Sequence, residues 1–278
     1  MSLLRLNAVQ HSKNLARAAA PKRAFGGHNH DSTCGPNAGP VLDDKHIERI
    51  FGQNEEWQNS MTKEDPDYFK RTGSTHQPKY LWIGCADARV PANEIMGEGP
   101  GTVFVHRNVG NQVVSADVSI MATLQYAVDY LKVPHIVVCG HYDCGAVKAA
   151  NSMFNHEPPL ENWLTGIRDV KRLHRDELNA LPEGEARVRR LVELNVIESC
   201  LNLFKTGTVQ RRRVETYNDP AVAFTLPRIH ALVFDPSVGK LERLPVDFDS
   251  ILEEYSGIYD IHGKNTLLDA VKNKNKDK

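Results

Sequence analysis

"HIVVCGHYDCGAV", residues 135–147, decides the fold. Its first six residues are a short apolar run, rich in Val and closed by Gly140. Such a run suits a strand buried on both faces, as in a parallel sheet. "YLWIGC" (80–85) and "TVFVH" (102–106) read the same way. "RIHALVFD" (228–235) and "KLERLPV" (240–246) predict a further strand pair around the turn at Pro236–Gly239. Helical patterns lie between. Ser115 is placed to cap a helix with Asp117 in its first turn, with Val118, Met121, Leu124, Val128 and Leu131 along one face. Val188, Leu191, Val192, Val196, Cys200 and Leu203 repeat the spacing. Residues 44–71 allow one or two helices anchored by Ile47, Ile50, Phe51 and Trp57. The expected fold is α/β: a mostly parallel central β-sheet flanked by α-helices, with an N-terminal helical arm. In such sheets a ligand site lies beyond the carboxyl ends of the strands.

The chain has 278 residues, enough to bury a full core without staples. Its hydrophobic share of 41% and charged share of 25% are those of a globular protein. A net charge of -1 gives no basic surface for nucleic acid or membrane, and no apolar run is long enough to span a bilayer. The five cysteines, Cys34, Cys85, Cys139, Cys144 and Cys200, are too few for a secreted disulfide framework.

The first thirty residues stand apart. They carry Arg5, Lys13, Arg17, Lys22 and Arg23, no acidic residue, and apolar residues that allow an amphipathic helix. That is the composition of a transit peptide, with a solvated basic tail as the plain alternative. "KRAFGG" (22–27) resembles a matrix-peptidase site. The expected organisation is a mitochondrial transit peptide at 1–30, a Gly/Asn/Pro-rich linker at 31–42, one domain at 43–260 and a flexible tail at 261–278. The expected compartment is the mitochondrial matrix.

Two strand ends carry chemistry. The run 80–85 ends in "GCADARVP" and the run 135–140 in "CGHYDCG". Cys85, His141 and Cys144 supply two thiolates and one imidazole, a set that suits tetrahedral Zn²⁺. His-x-x-Cys spans a tight strand-to-helix turn, so both side chains can converge on one ion. Three ligands leave a fourth position, for water or for Asp87. Asp87 beside Arg89 stays ionised, and a two-point bridge from the guanidinium would fix its carboxylate. Cys139 and Cys200 read as core. A phosphatase loop of Cys-x5-Arg is excluded because position 91 is Pro, and no serine-hydrolase elbow or P-loop is present.

"CADAR" (85–89) followed by "GHYDCG" (140–145) resembles the β-class carbonic anhydrases, as do "FVHRNVGN" (104–111), "LQYAV" (124–128), "LKVPHIVVCGH" (131–141) and "ELNVIES" (193–199). With the acid-free leader, the chain resembles a mitochondrial fungal member. The resemblance implies zinc-dependent reversible hydration of carbon dioxide to bicarbonate, by attack of zinc-bound hydroxide. It makes Cys85, His141 and Cys144 the ligands of one Zn²⁺ per subunit, and Asp87 and Arg89 the catalytic pair. Phe104, Val109 and Tyr126 match the apolar substrate pocket, some of it across a dimer interface. The partners implied are CO2 or bicarbonate and further copies of the chain, as a homodimer or a dimer of dimers, with N-terminal helices wrapped on the partner. Hydrolysis of COS or CS2 on the same scaffold is the nearest rival. Two departures stand out. His76, with Gln77 next to it, occupies the place of a substrate-bonding Gln. Trp82 and Arg107 match two parts of an inhibitory bicarbonate pocket, but the third falls on Leu232 or Phe234, which lack a hydroxyl. Weak or absent bicarbonate inhibition is expected.

Overall fold

The structure is a computed structural model, and it describes residues 45–255, 257–259 and 261. The expected transit peptide, linker, Cys34 and nearly all of the tail lie outside them. The chain divides into two compact units, residues 1–68 and 69–278. In the first, α1 (Lys45–Glu64) is a single helix, and its expected anchors Ile47, Ile50, Phe51 and Trp57 are exposed. A short α2 (Tyr68–Ser74) follows.

The second unit is built on β1 (Tyr80–Cys85), β2 (Val103–Asn108), β3 (His135–His141), β4 (Arg228–Asp235) and β5 (Lys240–Arg243). They form one sheet in the order β2-β1-β3-β4-β5. The first four strands are parallel, and β5 turns back antiparallel on β4, as the turn at 236–239 predicts. From β1 the chain runs outward to β2, then crosses back to lay β3 on the other side of β1. The direction of winding therefore reverses between the carboxyl ends of β1 and β3, where such sheets open a crevice.

Around the sheet lie α3 (Ala92–Met96), α4 (Val118–Gln125), a π-helical turn (Tyr126–Tyr130), α5 (Gly145–Asn151), α6 (Leu160–Leu173), α7 (Arg175–Asn179), α8 (Glu185–Phe204), α9 (Gly207–Asn218) and α10 (Phe248–Tyr255). No helix among the described residues is long and apolar enough to cross a membrane. Leu81, Ile83, Cys85, Ile136, Val138, Ala231 and Val233 join the main core with the helical layer. The alternate residues Trp82, Val137, Cys139 and Phe234 pack with Val90 and Ala92 in a smaller core. This is the two-sided burial that apolar runs without alternation imply. Gly140 lets α8 lie close on β3: a Cβ there would meet Val196 Cγ2 at 2.5 Å.

Two sequence expectations shift. Asp117, not Ser115, caps α4, its carboxylate accepting from the Ser119 N–H at 2.9 Å. The predicted face of that helix holds except at its first residue: Leu124 and Val128 are buried and Met121 and Leu131 pack half-buried on the main core, with Ile120 and Ala127 beside them, but Val118 is exposed. Cys139 and Cys200 are fully buried core thiols, as expected, and burial raises the pKa of both.

Candidate metal centre

Cys85 is the last residue of β1, His141 the last of β3, and Cys144 the N-cap of α5. Their donor atoms all lie within 4.8 Å of one another, and all three residues are buried. The two sulfurs stand 3.9 Å apart, about twice a disulfide bond length, and both are free thiols. The turn between His141 and Cys144 closes because Asp143 takes a left-handed φ of 61°.

The imidazole and the thiols fit a divalent metal. His141 Nδ1 lies 2.9 Å from the Tyr142 carbonyl oxygen. A carbonyl only accepts, so Nδ1 carries the hydrogen. Nε2 is then a bare lone pair, fully buried, with no hydrogen-bond partner. A buried polar atom left without a partner costs free energy, and a metal ion would satisfy this one. Cys85 is drawn toward thiolate chiefly by the hydrogen bond from Cys144, helped by the Asp87 and Gly110 N–H groups, against its own burial. Cys144 is pushed the other way by its hydrogen bond to Cys85, by burial and by the charge it faces there. Two neighbouring thiolates need a cation between them, and borderline-soft Zn²⁺ suits two sulfurs and a nitrogen.

Asp87 turns to Arg89. Arg89 Nε donates to Oδ1 at 3.0 Å and Nη2 to Oδ2 at 2.8 Å, while the Arg89 N–H donates to Oδ1 at 2.9 Å. This bridge is the main cause of a carboxyl pKa lowered to about 2. Oδ2 also lies 3.7 Å from His141 Nε2, so the carboxylate borders the place a metal would occupy without being part of the cluster.

The three expected pocket residues are brought together only in part. Phe104 and Tyr126 have ring centroids 5.8 Å apart, and His76 sets its ring 5.7 Å from Phe104 and 6.4 Å from Tyr126. Val109 lines a different space, an apolar cavity of about 560 Å³ with Pro159, Leu160, Asn162 and Trp163. Its carbonyl accepts from Trp163 Nε1 at 2.6 Å.

Sequence reasoning missed three supports. Arg107 donates through Nε to the Cys85 carbonyl at 2.8 Å and through Nη2 to the Asp87 carbonyl, tying β2 to the loop after Cys85. Gly110, at φ 80°, points its N–H at Cys85 Sγ at 3.4 Å, and a Cβ there would meet Ile167 Cδ1 at 2.9 Å. Asp143 accepts from Arg89 Nη1 at 2.9 Å and pairs with Lys148. Asp143 was legible only as a spacer between two ligands.

A family profile described as "Carbonic anhydrase" matches residues 80–241. A carbonic anhydrase from Emericella nidulans is 46% identical over 214 residues, 77% of this chain and 90% of that protein. Among solved structures, one of two tetrameric β-carbonic anhydrases from Sordaria macrospora is 32% identical, covering 73% of this chain and 98% of its own, with a TM-score of 0.65. A β-carbonic anhydrase of Aspergillus fumigatus is 31% identical, covering 77% and 99%, with a TM-score of 0.67. With its three donors at the sheet's crevice and these relatives on the same fold, the chain belongs to the β-carbonic anhydrase family.

Proposed function

We propose that the chain carries out zinc-dependent, reversible hydration of carbon dioxide to bicarbonate and a proton. The observation that carries this reading is the bare, buried Nε2 of His141 between two thiols, with an ionised carboxylate beside it. Cys85, His141 and Cys144 would hold one Zn²⁺ per subunit. A zinc ion there supplies a Lewis acid that makes water nucleophilic near neutral pH. In the reaction a water oxygen bonds to carbon, one C=O electron pair moves onto oxygen, and a proton leaves to solvent. Asp87 Oδ2 is placed to accept a hydrogen bond from the attacking oxygen and aim its lone pair. Arg89 keeps that carboxylate ionised and pointed. Phe104 and Tyr126 offer an apolar wall for a linear, uncharged substrate, while Val109 faces a separate apolar space.

The exposed apolar residues of α1, with Val109 and Tyr126 each more than two-fifths exposed, favour a homodimer or a dimer of dimers. One of the related proteins is tetrameric. Residues 43–260 form the catalytic domain in this reading. Residues 1–30 direct the chain to the mitochondrial matrix, supported by their basic, acid-free composition. Removing metal by chelation tests the core of the reading. Hydration should vanish and return when one equivalent of Zn²⁺ per subunit is added. Full activity in metal-free protein would refute it.

A further inference from the structure

We propose that Asp143 is a positioning residue of the site: it holds the far side of Arg89, so that Asp87 stays on the guanidinium instead of turning to the metal. The inference rests on the metal reading above and extends it to a residue that ligates nothing.

Arg89 has two carboxylate partners. Nε and Nη2 take the two oxygens of Asp87, and Nη1 takes Asp143 Oδ2 at 2.9 Å. Nη2 also reaches the Asp143 carbonyl at 3.3 Å. One guanidinium thus ties the loop that follows Cys85 at the end of β1 to the turn that joins His141 to Cys144. Packing does not fix it. Arg89 is half exposed and shares the lining of a cavity of about 600 Å³ with Asp143 and Lys148. Hydrogen bonds are what set its direction, and Asp143 is itself anchored by Lys148 Nζ.

The alternative place for Asp87 is near. Its Oδ2 is 3.7 Å from His141 Nε2, so a modest rotation would bring the carboxylate to an ion there. A guanidinium free to swing would hold Asp87 less firmly and allow that rotation. Asp143 closes this route. Because the pair is half exposed, the bias is modest, on the order of a few-fold in the equilibrium.

The test uses the full-length protein loaded with Co²⁺ and titrated with azide, following the cobalt absorption bands. Azide competes with any protein carboxylate for the open position on the metal. Asp143→Asn should weaken azide binding by about fivefold. Adding Asp87→Ala should abolish that loss, since the competing carboxylate is gone. A purely electrostatic Asp143 predicts the opposite sign, because removing a nearby negative charge tightens anion binding. Tighter or unchanged azide binding in Asp143→Asn would overturn the proposal. If Asp143→Asn does not fold, Lys148→Met removes the anchor from outside the turn. It should weaken azide binding in the wild-type background and leave it unchanged with Asp87→Ala. A loss that persists with Asp87→Ala is a charge effect and also overturns the proposal. Failure of the metal reading looks different: the wild-type protein would take up no cobalt, or Cys85→Ser combined with Cys144→Ser would keep the sulfur-to-cobalt charge-transfer band, and the proposal would fall with it.

Discussion

At the scale of single residues, the Arg89 guanidinium decides how Asp87 behaves across the pH range. The bridge lowers the carboxyl pKa from 3.8 to about 2. For a lowered carboxyl, the ionised form and the stability it brings are fully present above the unfolded value of 3.8. They are lost as pH falls through about 2. Asp87 therefore does not titrate between about pH 6 and 9, where a metal site acquires its nucleophile. Two thiolates bring a zinc site close to neutral formal charge, so activity should rise with pH above neutral. Asp87→Asn should lower the plateau of that profile about 100-fold and move its midpoint to lower pH, because a lost negative neighbour favours hydroxide on the metal. Stopped-flow CO2 hydration across the range checks both, and an unchanged plateau would show that the carboxylate does not aim the nucleophile. Cys85, Asp87, Arg89, His141 and Cys144 were legible because each sits in a short local pattern at the end of an apolar run. Asp143 and Arg107 were not read as supports, because they act on partners 54 and 20 positions away and no local spacing reveals that.

At the scale of elements, the site depends on α8 lying close to β3. Gly140 permits it, with Val196 Cγ2 only 2.5 Å and Val192 Cγ1 3.3 Å from where a Cβ would stand. Gly140→Ala should push α8 off the strand one residue before His141, destabilising the fold by about 1–3 kcal/mol. Thermal unfolding of the zinc-loaded protein measures this, and an unchanged midpoint would show that α8 has room to yield. The four parallel strands were legible as apolar runs that nearly coincide with their observed ends. The face of α8 was legible too, since Leu191, Val192, Val196, Cys200 and Leu203 are all buried. The buried polar residues of the same helix were not. Asn195 is held by the Gly110 carbonyl at 2.8 Å, and Glu198 by His174 Nε2 at 2.9 Å, and these partners come from other elements. The π-helical turn after α4 escaped for a similar reason: a constant period of 3.6 residues cannot anticipate one extra residue in a turn.

At the scale of the whole molecule, the second face of the sheet bears on regulation. Trp82 is fully buried among Val90, Ala92, Val137 and Phe234, and its Nε1 lies over Gly84. Arg107 is committed to the carbonyls of Cys85 and Asp87. Leu232 and Phe234 add no hydroxyl. A pocket built from these groups has little to offer an anion, so bicarbonate inhibition should be weak and without cooperativity. Initial rates against bicarbonate concentration test it, and a steep, cooperative loss of rate would count against this reading. The order of the strands could not be read from the runs alone, because similar apolar runs are compatible with several arrangements. What the two strand-end motifs did carry was that β1 and β3 must be neighbours, since Cys85 and the His141–Cys144 turn share one ion in that reading. The sheet obeys, placing the crevice between them.

The most direct measurement is stopped-flow CO2 hydration by the zinc-loaded chain beside Cys85→Ser, at mildly alkaline pH, with zinc content determined on both. The expected result is fast hydration with one zinc per subunit, and loss of both in the variant. A variant that keeps its zinc and its activity, or a zinc-loaded parent that hydrates nothing, would contradict it.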